Sequence, residues 1–243
     1  MWKNYFKIAL RNLRKQRSFS IVNIMGLSLG MAASLVILNY LNFEKSYDTF
    51  HVNAERIYRV PMEITEKGGA TQTFAFTYPP VATSMMKDFP EVENAVRWRG
   101  QGGPLQIGEQ VYLEPGLLFF VDRSVFEVFS FPFAKGNASS TLKELNDVVL
   151  TETIAQKYFG GGEAIGRTIR YRDEDFVVKA VLKDLPENSH IRFGILLNFD
   201  KYIQLVEAGG GRIRDNWGWS DYYTYVLLKP GAEVNTLRAK MPS

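Results

Sequence analysis

Hydropathy divides the chain into a short apolar part and a long mixed one. From Ser18 to Phe43, 26 residues pass without a formal charge; Leu27, Leu29, Leu35, Val36, Ile37, Leu38 and Leu41 lie in the run, and proline does not. At about 1.5 Å per residue the run exceeds the roughly 30 Å hydrocarbon core of a bilayer. A helix satisfies its own backbone hydrogen bonds, so a transmembrane helix over 18–43 is predicted. One competing reading is a buried soluble helix, which seldom runs so far without a charge. Another is a cleaved signal peptide, but its apolar core is usually shorter, and Ala32, Ala33 and Ser34 lie inside the run rather than after it.

Ahead of the span, Trp2, Tyr5, Phe6, Ala9 and Leu13 recur at helical spacing, as do Lys3, Lys7, Arg11 and Arg14. An aromatic stripe beside a cationic one predicts an amphipathic juxtamembrane helix over 1–17, lying in the headgroup plane against membrane lipid. The plainer reading is a topogenic tail. With Lys15 and Arg17 the tail holds six cations, against three in 44–60. The positive-inside bias then puts the N-terminus in the cytoplasm and 44–243 outside.

After Phe43 the pattern is that of a soluble α+β domain. Extended runs are predicted at Arg56–Ile64, Val92–Arg99, Leu105–Leu113, Leu117–Val121, Asp147–Leu150, Thr168–Tyr171, Phe176–Leu182, Ile191–Phe199 and Tyr222–Leu228. Helices are predicted at Tyr78–Phe89, opened by two prolines, at Ser124–Phe129, at Thr151–Phe159 with Thr151 as cap and Gly160 as stop, and at Glu233–Lys240. Strands and helices in this order suggest two lobes. No internal repeat is visible.

Charge sharpens this division. The whole chain is +3, yet residues beyond 17 hold 23 basic and 26 acidic groups, so the basic balance belongs to the tail. A nucleic-acid partner would call for a basic surface on the folded part, and none is expected. The sequence has no cysteine, which excludes disulfides, thiolate metal sites and cysteine catalysis. Two histidines, His51 and His190, are too few for a His-rich metal site.

Candidate chemistry is sparse, and no catalytic, cofactor-binding or metal-binding residue is assigned. Gly161–Thr168 nearly fits a phosphate-binding loop, with Arg167 where lysine belongs. That loop must follow a strand and open a helix; here a helix precedes and a strand follows, so a helix stop and turn is expected. Asp184, Glu187 and His190 crowd one loop, as acid/base work would require, but no nucleophile or metal motif accompanies them, and solvated loop residues are the plainer reading. Trp217, Trp219, Tyr222, Tyr223 and Tyr225 are read as packing residues in preference to a ligand platform. Within the span, Gly26, Gly30 and Ser34 form a small-residue stripe suited to helix packing, and Asn23 and Asn39 favour a partner over lipid.

These segments carry a family resemblance. Met1–Lys15 followed by Ser20–Gly30 resembles the opening of MacB/FtsX-type ABC-transporter permeases, particularly those common in Bacteroidetes. Tyr47–Arg59, Val148–Gly160, Ile165–Ile169 and Val181–His190 resemble segments of their periplasmic core domain, so the similarity runs along nearly the whole chain. The resemblance implies an inner-membrane protein whose periplasmic domain has a porter-like lobe and a smaller inserted one. It further implies a permease dimer, a cytoplasmic ABC ATPase subunit, periplasmic or outer-membrane components, and no catalytic residues in this region. It also implies further membrane helices, so a chain ending at Ser243 is expected to be a fragment or the product of a truncated gene. A single-pass anchored sensor or binding module and an anchored periplasmic enzyme are the competing functions. A ligand pocket would favour the first, a convergent polar cleft the second.

Overall fold

The structure, a computed structural model, describes residues 2–241. It resolves into two compact units, one ending at Tyr47 and one beginning at Asp48. The first holds two helices, α1 (Trp2–Lys15) and α2 (Arg17–Lys45). Gln16, which leaves helical geometry at φ −115° and ψ 56° with no side-chain cap, separates them. No side chain of either helix is buried. At 29 residues, α2 measures about 43 Å. Among the described residues it is the one helix long and apolar enough to cross a membrane.

The second unit is a mixed α/β domain. Its elements are β1 (Ile57–Val60), β2 (Met62–Thr65), β3 (Thr71–Phe74), α3 (Val81–Asp88), β4 (Val92–Gln101), β5 (Pro104–Ile107), β6 (Gln110–Leu113), β7 (Leu118–Val121), α4 (Val125–Val128) and β8 (Phe133–Lys135). Then follow β9 (Asp147–Thr151), α5 (Glu152–Phe159), β10 (Thr168–Tyr171), β11 (Glu174–Leu182), β12 (Ile195–Asn198), α6 (Phe199–Ala208), β13 (Tyr223–Leu228) and α7 (Val234–Lys240). Eleven strands form one sheet in the order β1-β13-β4-β7-β12-β9-β11-β10-β5-β6, with β8 on the far end of β11. β7–β12 and β9–β11 are parallel, and the remaining pairs are antiparallel. The sheet runs unbroken through the region where two lobes were expected.

Burial follows position in the sheet. β9 and β12 lie at its centre and are buried at every residue, which is why Val148-Val149-Leu150 reads as a continuous apolar run. One face packs Phe120, Ile195 and Leu197 against Ile154 and Tyr158 of α5 and Tyr202 and Ile203 of α6. The other gathers Trp98, Phe129, Phe131, Phe193 and Tyr225 with α4 and the segment before β12. Trp98 is the hub, with ring centroids of Phe193 at 5.5 Å and of Phe119 and Phe129 at 5.8 Å. A third cluster seats α3 and α7 beside β4 and β13.

Several elements depart from the sequence pattern for identifiable reasons. Arg56–Ile64 is two strands, because Pro61 has no N–H to donate; β2 pairs only with β3, in a separate hairpin. Leu105–Leu113 is the hairpin β5–β6, turning where Gly108 takes φ 59°. Ile191–Phe199 is strand only from Ile195, and Phe199 opens α6, a helix the pattern reading missed although Phe199, Tyr202, Ile203 and Val206 mark its apolar face. Gly160 stops α5 in the left-handed conformation, as expected.

The start of α5 holds a further correction. Thr151 occupies the N-cap position but its side chain makes no capping bond. The cap comes from Asp184, whose carboxylate accepts from the Thr153 N–H at 3.0 Å and from the Thr153 hydroxyl at 2.8 Å. A carboxylate at a helix N-terminus satisfies orphan donors and complements the helix dipole. Asp184→Ala is therefore expected to destabilise the domain by about 1 kcal/mol in urea unfolding, with secondary structure retained. An unchanged midpoint would deny Asp184 this role.

Candidate functional site

The loop that crowds Asp184, Glu187 and His190 in sequence does not bring them to one point. Asp184 caps α5. Glu187 contributes its backbone carbonyl, which accepts from the Arg192 guanidinium. His190 alone reaches inward, and its partners lie far away in sequence. Its Nδ1 meets Asp48 Oδ2 at 2.5 Å and its Nε2 meets the Tyr225 hydroxyl at 2.8 Å. Asp48 also accepts from the His190 amide at 3.1 Å and donates its own amide to the Asn188 carbonyl at 2.9 Å. To do so it adopts φ 58°, a region aspartate tolerates because its short side chain bonds locally.

Proton positions follow from these contacts. A carboxylate only accepts, so the His190 Nδ1–H donates to Asp48, and the Nε2 on the far side of the ring shares a hydrogen bond with the Tyr225 hydroxyl. Burial pushes the Tyr225 hydroxyl up to about 12, so it keeps its proton. An Asp–His–Tyr chain could suggest an activated nucleophile, but a phenol held above its ordinary value is not primed to attack. The chain acts as a clasp. It pins the 184–193 loop and the first residue of the unit onto β13.

His51 lies beside the clasp and is 4% exposed among Phe50, Phe129 and Phe131. Desolvation is the main cause that lowers its pKa to about 4; His190 adds to the shift and Asp48 opposes it. The ring is therefore neutral near pH 7. Nδ1 accepts from the Ser130 amide at 3.1 Å, which leaves the proton on Nε2. That Nε2–H is buried with no partner among the described residues, and so is the indole N–H of Trp98. An unmet buried donor costs about 1–3 kcal/mol.

Two cavities flank the His190–Tyr225 bond. One, of about 260 Å³, is lined by Arg59, Trp98, Phe119, Ile191, Arg192 and Tyr223 together with the clasp. The other, of about 410 Å³, is lined by Asp48, His51, Ile57, Arg59 and Phe129, again with His190 and Tyr225. Spacing gave no warning of this site, because β1, β4 and β13 assemble it. Residues Arg59 and Tyr225, and then Tyr223 and Trp98, face each other across strand pairs.

The remaining candidates separate cleanly. The near phosphate loop lies between α5 and β10, as expected. The Gly166 amide donates to Val178 O at 2.8 Å, and the Arg167 guanidinium sits 5.4 Å from the Phe159 ring centroid, so the segment is a turn held by the fold. The aromatic group splits. Tyr222 and Tyr225 are buried as packing residues, whereas Trp217 and Trp219 are 55% and 62% exposed, which corrects the packing reading for both tryptophans. Gly26 and Gly30 have nothing within 4 Å of where a Cβ would stand, and the Ser34 hydroxyl donates to Gly30 O at 2.8 Å. Of the tail cations, Arg17 donates to Arg14 O at 3.2 Å, and α1 carries Lys3, Lys7, Arg11, Arg14 and Lys15 on a helix with no buried residue. Among the described residues no group of His, Asp or Glu is arranged to hold a metal.

The sequence matches the family model described as MacB-like periplasmic core domain over residues 20–243. Among solved structures, a domain assigned to a permease protein from Porphyromonas gingivalis is similar at 24% identity and TM-score 0.64, covering 77% of this chain and 78% of that one. The periplasmic region of MacB from Actinobacillus actinomycetemcomitans aligns at 14% identity and TM-score 0.51, covering 68% and 71%. Both are likenesses of fold. No curated protein matches the chain in sequence.

His51 makes the domain acid-sensitive. Its folded-state pKa lies below the unfolded value, so between about pH 6.5 and pH 4 the unfolded chain binds the extra proton and stability falls as pH falls. With its pKa lowered to about 4, His51 should account for on the order of 3 kcal/mol of that loss. Urea midpoints measured from about pH 7 to about pH 4.5 should drop steeply in the native chain and less in His51→Gln. Equal slopes would show that His51 does not titrate this way.

Proposed function

The chain belongs to the MacB-like periplasmic core domain family of ABC-type permeases, and on that premise we propose that it acts in an inner-membrane permease, coupling cytoplasmic ATP hydrolysis to conformational work or export outside the membrane. Proteins of the MacB/FtsX-like family work with a cytoplasmic ABC ATPase and form dimers. In this reading, residues 1–17 lie along the cytoplasmic face, 18–43 cross the bilayer and 44–243 are extracytoplasmic. Lys3, Lys7, Arg11, Arg14, Lys15 and Arg17 fix that orientation and hold α1 at the headgroups.

The observation that carries the proposal is the way the membrane-length helix continues into the folded unit. α2 ends at Lys45, and three residues later Asp48 is held by its amide and by both carboxylate oxygens. In this reading, a displacement of α2 by an ATPase reaches the folded unit at Asp48, the residue its own bonds hold to 188–190. A flexible linker would absorb it.

Topology is tested by reporter fusions. A fusion after residue 17 should report a cytoplasmic position and one after residue 60 a periplasmic position. Periplasmic activity at residue 17 would reverse the model. The helix stripe is tested separately. Among the described residues outside its own helical turn, nothing stands within 4 Å of a Cβ at Gly30, so Gly30→Ile is expected to act through a neighbouring helix. In membranes, small residues let helix backbones approach closely and associate through van der Waals packing. Gly30→Ile should lower the crosslinked dimer yield and ATP-dependent activity while insertion is unchanged, and Leu29→Ile should be silent. Equal behaviour of the two variants would reduce α2 to a tether.

A further inference from the structure

The clasp-side cavities have a consistent chemical sign. The smaller is lined by two guanidinium groups, Arg59 and Arg192, and by no carboxylate. Neither arginine takes part in a salt bridge among the described residues; Arg192 is bound only to a backbone carbonyl. In the larger, Asp48 is the one acid, and the clasp already engages it. Four buried polar side-chain atoms lack a partner among the described residues, and the two that belong to lining residues of these cavities, Trp98 Nε1 and His51 Nε2, are N–H donors. Buried donors are normally satisfied. The Trp98 indole N–H is the donor left unmet at the smaller cavity and calls for an acceptor. Arg59 bonds the Tyr225 hydroxyl, but neither guanidinium is neutralised by a carboxylate, and the pair calls for an anion.

The rest of the wall is apolar. Trp98, Phe119 and Ile191 line the smaller cavity. A phosphate dianion would lose hydration against these side chains without enough donors in return, whereas guanidinium binds a carboxylate through a matched fork. The volume of about 260 Å³ admits a small molecule only. We propose that this cavity is a binding site for a small organic carboxylate with an apolar body, the carboxylate held by Arg59 and Arg192 and the body packed on Trp98, Phe119 and Ile191. The site lies wholly within the unit beginning at Asp48 and does not depend on the permease reading. A ligand there would rest on the same His190 and Tyr225 side chains that clasp Asp48.

The test is calorimetric titration of the full chain in nonionic detergent with phenylacetate, its neutral counterpart phenylacetamide, and inorganic phosphate. Phenylacetate should bind, with the amide and phosphate at least about tenfold weaker. The double variant Arg59→Gln, Arg192→Gln should lose about tenfold in phenylacetate affinity while its circular dichroism and unfolding midpoint stay native, since both side chains are exposed. No heat from phenylacetate up to about 10 mM would overturn the proposal. So would equal binding of the amide, tighter binding of phosphate, or undiminished affinity in the folded double variant. If that variant does not fold, the comparison of the three probes decides by itself.

Discussion

Asp48 is the residue on which the arrangement turns. Its amide and both carboxylate oxygens are committed to residues 188–190, and through His190 the connection continues to Tyr225 in β13. The loop before β12 is thereby drawn across the aromatic face of the sheet, and the space left beneath it becomes the two cavities. The clasp adds a polar anchor to the apolar packing that already seats Ile191 and Phe193 in the cluster around Trp98. The clasp is partly exposed, so its Coulombic worth is modest. Its geometric consequence is larger, because one residue fixes where the chain enters the domain.

What was legible in the sequence was what local patterning controls. The charge-free run, the helical stripes ahead of it, and the pairing of β9 with α5 and its glycine stop are all properties of neighbouring residues. Pro61 shows the limit of a pattern reading that counts apolar positions and overlooks a missing donor. α6 was in plain sight, with Asn198 accepting from the Asp200 amide as its cap, and was missed because a run of extended residues was carried too far. The site was not legible. Asp48 and His190 are separated by 142 positions and His190 and Tyr225 by 35, and only the sheet order brings them together. The two histidines, set aside as too sparse for a metal, turned out to be neighbours around one clasp.

The polar groups also separate two kinds of role. The exposed Asp184 and the half-buried Asp48 each accept from one backbone amide and one side chain, which is structural work. The Trp98 indole and the His51 ring keep a donor unspent in a face otherwise closed by phenylalanines. The Ser130 amide holds the His51 ring in one tautomer, and burial keeps it neutral, so its free donor is fixed in identity over the physiological range.

The place of β13 has a consequence for how the molecule comes into being. β1 and β4, synthesised early, both pair with β13, which lies between them and is the last strand among the described residues. Until residue 228 has emerged, β1 has no neighbour in the sheet and β4 has an open side. Tyr225, the anchor of the clasp, is likewise not yet present. Long-range pairings of this kind are slow to form and leave strand edges bare in the meantime. The growing chain must therefore pass through a stage in which the apolar run of α2 is complete while the domain after it is still an unfinished sheet.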